Sequence, residues 1–462
     1  MNAGDVDMTR AVAIRTMLAV LAASLAASPV LAAGEDAAGS TPPIVFVHGE
    51  GDSAVFWMPV LWRFESNGYP ADRLFAADID HPAARTDDTV AEENRSSSEE
   101  AARSLARTVE RALTTSGVEK VAIVAHSRGC QTARNYVKNF GGTDKVAGMV
   151  LAGCVHHGVY ANSEERLNSE YNGAGRFLTA LNQPPEVPDN IPVTVIRSDR
   201  FDLYAQPDAR FLGLPGQATG VSYDAPELKG ADTVVLDGID HRETATSPEA
   251  FIAIHKALTG QVPATLDIEP EDSPTVAGEI SGYANGAPTN LPLDGARLTV
   301  FAVDSETGER QSEAVLEKTV GADGRFGPFL VQPGQRYEFV VAAKGYPVTR
   351  IYRSGFPRST DIANLRLYPA VAGAIAGTTL PGEVVNVMRP RGYFGIDDNA
   401  TLGAIPIAGR PESEEVPSVW KSSLAVDGDA PETITAGFNG ETIAARTTPE
   451  NPDDVVWIEF SN

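Results

Sequence analysis

The ten residues Val121–Cys130, VAIVAHSRGC, constrain this chain more than any other stretch. An apolar strand, Val121–Ala125, runs through His126 and Ser127 almost directly into a helical segment, RGCQTARNYVKNF, stopped by Gly141-Gly142. A strand-to-helix turn this tight needs small residues on both sides of the serine, here Ala125 and Gly129. It belongs to a parallel sheet covered by helices on both faces. It also lifts the Ser127 side chain out at the carboxyl edge of that sheet, where ligand sites of α/β folds form. A serine that merely ends a strand is the plainer alternative. The strand entering the turn and the helix leaving it favour a nucleophile.

The flanking sequence repeats the same alternation. Ile44–Val47, Leu74–Asp78, VAGMVLA, VTVI and TVVL read as short apolar strands. Between them, Ser97 and Glu100 form a capping box, followed by an apolar stripe (Ala102, Leu105, Ala106, Val109, Ala112, Leu113) that Gly117 ends. Ser247-Pro248 opens a last helix, with Phe251, Ile252, His255 and Leu258 on one side and Gly260 beyond its end. Residues 42–260 are therefore expected to form one α/β domain. A Pro- and acid-rich connector spans 261–275. After it the helical period disappears, and VAGEISGY, ARLTVFAVD, GRFGPFLV and YEFVVAAKGY read as strands between Gly, Pro, Asn and Asp turns. This is an all-β sandwich or barrel over 276–370. A second β segment, 371–462, is either a separate unit or the completion of the first.

Length and composition set the outer limits. A chain of 462 residues exceeds one ordinary core. Its formal charge of −25 disfavours nucleic acid and anionic membrane as partners. Arg10 and Arg15 precede the apolar, alanine-rich run TMLAVLAASLAASPVLA, which ends in small residues, so residues 1–32 read as a secretory signal peptide. The run is short for a bilayer span, and no other stretch is long enough to be one. The mature protein is expected to be secreted or periplasmic. In an oxidising compartment Cys130 and Cys154 form either a disulfide or two buried thiols. Nothing in the sequence specifies an oligomeric state.

A serine nucleophile needs a base. Of seven histidines, His241 in LDGIDHRETATSPEAF follows the strand TVVL and precedes the last helix, the place of the base in the chain order Ser, Asp, His. His48 comes too early, His126 adjoins the serine and must point elsewhere, His81 lies on a polar loop, His156 and His157 follow the next strand, and His255 faces a core. The acid must hold the imidazole and stabilise its charged form. VTVIRSDRFDLYAQPD offers Asp202, with Asp199 as the alternative; Asp240 reads as a loop residue. The oxyanion site is expected from the backbone N–H groups of Arg128 and Glu50. The Arg128 side chain either pairs with Glu50 and neutralises the rim, or both side chains face solvent. No His, Cys or carboxylate cluster has metal-ligand spacing, and no cofactor is implied.

These residues carry a resemblance. Residues 42 to about 260 are similar to α/β-hydrolase lipases and esterases, and IVFVHG with VAHSRG resembles the secreted bacterial lipases whose serine box begins with Ala. FESNGYPADRL, GVEKVAIVAHSRG and HRETATSPEAF running on to PATLDIEPED resemble archaeal long-chain lipases that carry a C-terminal β-domain for lipid. GARLTVFAVD and GADGRFGPFLVQPGQRYEFVV resemble prealbumin-like sandwiches. The resemblance implies a carboxylic-ester hydrolase working through an acyl-enzyme on a small-molecule or lipid ester, with a β region that binds substrate or lipid. One departure stands out. Where such lipases carry an apolar lid, this chain has the short polar loop HPAARTDDTVAEENRSSSEE, and its second lid candidate, Val159–Asn190, mixes aromatic and polar residues. A short or soluble ester therefore fits as well as a long-chain lipid. A polyester depolymerase or amidase on the same residues is the same-class alternative. An exported binding protein with an inert hydrolase fold is the different-class one.

Overall fold

The expected strands and helices build a six-stranded sheet. The computed structural model describes residues 41–199, 201–208, 216–369, 383–395, 398–407, 421–451 and 453–461; the expected export segment, 1–32, lies outside them. In chain order the α/β half holds β1 (Ile44–Val47), α1 (Met58–Ser66), β2 (Leu74–Ala77), α2 (Ser98–Ser116), β3 (Val121–His126) and α3 (Arg128–Asn139). It continues with β4 (Val146–Ala152), α4 (Arg176–Leu181), β5 (Val193–Ser198), β6 (Asp232–Leu236), α5 (Glu243–Thr246) and α6 (Pro248–Thr259). The strands lie in the order β2-β1-β3-β4-β5-β6, and every neighbouring pair is parallel.

Local sequence explains the helix ends. Both halves of the Ser97–Glu100 capping box form, and Gly117 leaves α2 with φ of 66°. The Ser247 hydroxyl accepts from the Ala250 amide to start α6, and Gly260 ends it with φ of 74°. Both glycines occupy the left-handed region that other residues avoid. The period-two alternation of the strands then divides the core. Val45, Val47, Ile123 and Ala125 face α2 and α3, meeting Ala101, Leu105, Val109 and Tyr136. Ile44, Phe46, Ala122 and Val124 face α1 and α6, meeting Val60, Phe64, Phe251 and Ile254.

Helix α1 has no counterpart among the sequence expectations. Its N-cap, Trp57, supplies no side-chain bond. It is also apolar on two opposite sides. Val60 and Phe64 enter the core of the α/β half, while Met58 and Trp62 enter the core of the β region. Buried on both sides, it lacks the single polar face that marks a surface helix.

The two β segments share one sheet. Its order is Leu316–Thr319, Arg297–Val303, Arg336–Ala342, Thr349–Arg353, Val455–Glu459, Glu383–Met388 and Lys421–Val426. Neighbours are antiparallel except that Val455–Glu459 runs parallel to both of its neighbours. The second segment therefore completes the sheet begun by the first. Arg325–Leu330, Thr275–Ser281 and Leu365–Arg366 form a second layer, which packs Val276, Ile280 and Phe326 against Leu298, Val300, Phe339 and Val341. A four-stranded sheet including Thr433–Phe438 and Glu441–Arg446 covers the other end, with Phe438 and Ile443 on Val385, Val387 and Ile458. Polar ties join the β region to the α/β half. The Trp62 indole donates to the Ser359 carbonyl at 2.9 Å, and the Asn290 amide donates to the carbonyls of Asp52 and Ile79, each at 2.9 Å.

Candidate active site

Ser127 sits between β3 and α3 with φ of 52° and ψ of −123°, a conformation that costs a non-glycine residue of order 1–3 kcal/mol. The surrounding backbone leaves little freedom. A Cβ added to Gly129 would lie 2.6 Å from the carbonyl oxygens of Val47 and His48, so α3 can start only where glycine lets it approach β1. A Cβ on Gly49 would lie 2.9 Å from that of Ser127. Small residues at these two positions set the height of the serine.

His241 and Asp202 meet Ser127 from separate loops. His241 Nε2 is 2.9 Å from Ser127 Oγ. Its Nδ1 is 3.0 Å from each Asp202 carboxylate oxygen. Both residues are buried. Asp202 Oδ1 also accepts from the Tyr204 amide at 2.9 Å, which fixes the carboxylate on its own turn. Asp199 is instead used locally, accepting from the Phe201 amide at 3.0 Å. Of the two acids the sequence offered, the one beside the imidazole is Asp202.

The loop carrying His241 is braced by Asp240 and by partners from the β region. Asp240 Oδ1 accepts from the Arg242 and Glu243 amides at 2.7 and 2.8 Å, turning the chain immediately after the histidine. Its Oδ2 accepts from the amide of Tyr393, in the β region, at 2.6 Å. Arg389 meets Glu243 at 2.6 Å, and Thr246 donates to the Arg391 carbonyl at 2.8 Å. Asp240, read from sequence as an ordinary loop residue, thus ties two halves of the molecule together. His126, next to the serine, points at the His241 backbone, with Nε2 3.0 Å from its carbonyl. Burial, reinforced by His241, pushes the His126 pKa well below the ordinary histidine value, so the ring is neutral and donates this bond. Tyr204 stands edge-on to the His241 ring, 4.5 Å between centroids.

Arg128 makes the expected pairing with Glu50 only as the longer of two ion pairs. It is buried, and its guanidinium pairs with Glu170 at 2.8 Å, with Glu50 more distant at 3.5 Å. It also donates to the carbonyls of Pro82 and Ser96, at 2.8 and 2.9 Å. Burial opposes this charge, but Glu170, Glu50 and Tyr171 more than offset it and hold the pKa above the ordinary arginine value. Glu50 has partners of its own, accepting from the Ala84 amide at 2.9 Å and from the Tyr171 hydroxyl at 2.6 Å. Glu170 and Tyr171 lie on the segment the sequence offered as a second lid. No periodic signal marks them as partners of residues 42 and 121 positions away.

Ser127, His241, Glu50 and Arg128 border one cavity of about 590 Å³. Val155, Val159, Tyr160 and Ala161 give it an apolar wall, while Gln131, Asn162, Glu165 and Arg166 make much of the remainder polar. Tyr393 reaches it from the β region. Among the described residues, no group of three or more His, Cys, Asp or Glu is placed to hold a metal ion, and no helix is long and apolar enough to cross a membrane.

Cys130, on the first turn of α3, is joined by a disulfide to Cys154, just past β4, with Cα atoms 6.0 Å apart. Both are fully buried. The bond closes a loop with a sequence separation of 24, worth about 3 kcal/mol on a chain-entropy model. The double variant Cys130→Ala/Cys154→Ala is expected to lower the free energy of urea unfolding by about that amount. Peptide mass spectrometry without reduction should recover the linked pair from native protein. Two free thiols there, or an unchanged urea midpoint, would contradict the bridge.

Two family models match the chain. Residues 41–161 match lipase (class 2), and residues 276–369 match the lipase C-terminal domain. Among solved structures, the mature form of a lipase from Bacillus licheniformis is 19% identical, covering 50% of this chain and 96% of that one, with a TM-score of 0.36. Its propeptide form is 14% identical, covering 89% of this chain and 94% of that one, with a TM-score of 0.37. A phospholipase from Legionella pneumophila is 12% identical, covering 74% and 97%, with a TM-score of 0.35. The first match includes Glu50, Ser127 and Arg128, and the second includes most of the strands that begin the β region. The chain is thus similar to class 2 lipases over residues 41–161 and to the lipase C-terminal domain over residues 276–369, consistent with a lipase family with a C-terminal domain.

Proposed function

We propose that the protein is an exported serine hydrolase of carboxylic esters, with Ser127 as nucleophile, His241 as base and Asp202 as the acid that orients it. The observation that carries this reading is the unbroken chain from Ser127 Oγ to His241 Nε2 at 2.9 Å, and from Nδ1 to both Asp202 oxygens at 3.0 Å. In this reading His241 takes the serine proton as Oγ attacks the acyl carbonyl. The oxyanion is received by the Glu50 and Arg128 amides, which have no protein acceptor among the described residues. The imidazolium, stabilised by Asp202, returns the proton to the departing alcohol and leaves an acyl-serine. Water enters, loses a proton to His241, and releases the acid. The basic, then apolar, then small-residue pattern of residues 1–32 supports export, as does the disulfide.

A bounded cavity of about 590 Å³, with Gln131, Asn162, Glu165 and Arg166 set among its apolar lining, supports a short acyl group over a long-chain one. Initial rates across a series of p-nitrophenyl esters test this. Acetyl to butyryl esters are expected to be fastest, with kcat/KM falling by roughly tenfold for each 1.4 kcal/mol of lost fit as the chain lengthens to lauroyl. Rates that climb steadily to the longest chains, with a jump above the solubility limit, would replace this reading with a long-chain lipase acting at an interface.

A further inference from the structure

A second cavity, of about 360 Å³, lies at the junction of the hydrolase half and the β region. It shares Glu50, Asp52, Tyr204, Arg242 and Tyr393 with the cavity at Ser127, so the two adjoin along these residues. Four guanidinium groups border it: Arg242, Arg353, Arg366 and Arg391. Three carboxylates do so as well, and each is engaged. Asp52 pairs with Arg242 at 3.0 Å, Glu459 pairs with Arg353, and Glu50 accepts from Ala84 and Tyr171.

Arg366 and Arg391 are left without a carboxylate at ion-pair distance among the described residues. Arg391 is 5% exposed. Its Nε and Nη2 donate only to the backbone carbonyls of Phe56 and Val55, at 3.1 and 2.5 Å. Arg366 donates to the carbonyls of Gly51 and Asp52 and to the Asn290 side chain. Its Nε is shielded from solvent and has no acceptor. Carbonyl oxygens satisfy donors but do not neutralise a charge, and an uncompensated buried charge is costly. The chain has 62 acidic residues against 37 basic ones, so four guanidinium groups around one cavity run against its overall charge. Burial, with Arg353 and Arg242 beside it, outweighs the carboxylates of Glu459 and Asp52 and pushes the Arg391 pKa down to about 9, the direction that an anion in the cavity would reverse.

We propose that this junction cavity is an oxyanion site that takes a carboxylate or phosphate group borne by the ester substrate. Guanidinium groups present paired N–H donors that match such groups, and their charge is not lost at working pH. The proposal rests on the reading of Ser127 as the reacting centre, since the anionic end would occupy this cavity while the scissile carbonyl lies in the adjoining one.

Two arms of an experiment separate the parts. In the first, the melting temperature of Ser127→Ala protein is followed while chloride is replaced by inorganic phosphate or succinate at constant ionic strength. A saturable rise is expected, and the absence of any rise with either anion would overturn the site whatever Ser127 does. In Arg366→Gln or Arg391→Lys protein the rise is expected to shrink. If neither variant folds, the titration of the Ser127→Ala protein still decides. In the second arm, wild-type rates on p-nitrophenyl monoesters of dicarboxylic acids are compared with alkyl esters of the same length. The acid-bearing series is expected to gain roughly tenfold in kcat/KM at its best length, the scale of one charge-assisted contact. Inorganic phosphate should erase that gain while sparing the alkyl esters. A phosphate-dependent rise in melting temperature with equal rates on both series would overturn the substrate assignment and leave a site for free anions. No hydrolysis of either series would count against the Ser127 reading, not against the anion site.

Discussion

Replacing Ser127 with alanine is expected to lower kcat for ester hydrolysis by about 10⁴–10⁶-fold, with little change in the melting temperature. His241→Ala should lose a similar amount, and the double variant should be no worse than either single one, because both disable the same proton-coupled attack. Asp202→Ala should cost less, about 10⁴-fold, since it removes orientation and charge stabilisation but leaves the nucleophile. Asp199→Ala should stay near wild type, because that carboxylate bonds the Phe201 amide rather than the imidazole. Losses that add in the double variant, or a Ser127→Ala protein with wild-type turnover, would contradict the assignment.

The second large effect is on stability and falls on Arg128. The sequence allowed a role for this side chain in screening Glu50 at the oxyanion site, which would make Arg128→Ala a kcat defect that Glu50→Gln could rescue. The structure keeps that pair at 3.5 Å and adds a nearer partner at 2.8 Å. Glu170 is the nearer and more deeply buried carboxylate, with its side chain 3% exposed against 40% for Glu50. Removing one member of such a buried pair strands the other and typically costs about 3–5 kcal/mol. Arg128→Ala is therefore expected to lower the urea midpoint strongly, and Glu50→Gln should not restore it. Arg128→Met with Glu170→Leu should recover part of the loss, because neither charge is then left alone. A stable Arg128→Ala protein with a reduced kcat that Glu50→Gln restores would return the arginine to the oxyanion site.

These two residues show where the sequence could be read and where it could not. Ser127 was legible because its requirements are local: an apolar strand before it, a helix after it, and Gly129 where a Cβ would strike the β1 carbonyls. The capping box at Ser97 and the glycine ends of α2 and α6 were legible for the same reason. His241 followed from chain order, and Asp202 only as one of two. What stayed hidden depends on contacts between distant positions. The Arg128–Glu170 pair spans 42 residues through an irregular loop. Tyr393 reaches Asp240 from 153 residues away. The strand Thr349–Arg353, TRIYR, is fully buried yet carries two arginines, which no alternating pattern would place in a core. They are accepted there because Glu338 meets Arg350 at 2.6 Å and Glu459 pairs with Arg353. Helix α1 escaped notice because cores on both sides consume its polar face.

The central claim is that Ser127 becomes acylated under the control of His241, and intact-mass measurement after treatment with a fluorophosphonate tests it most directly. Wild-type protein should gain the mass of one phosphonyl group, on the peptide containing Ser127. Ser127→Ala should gain none, and His241→Ala should react far more slowly. A phosphonyl group on another residue, or equal labelling of Ser127→Ala, would contradict the account.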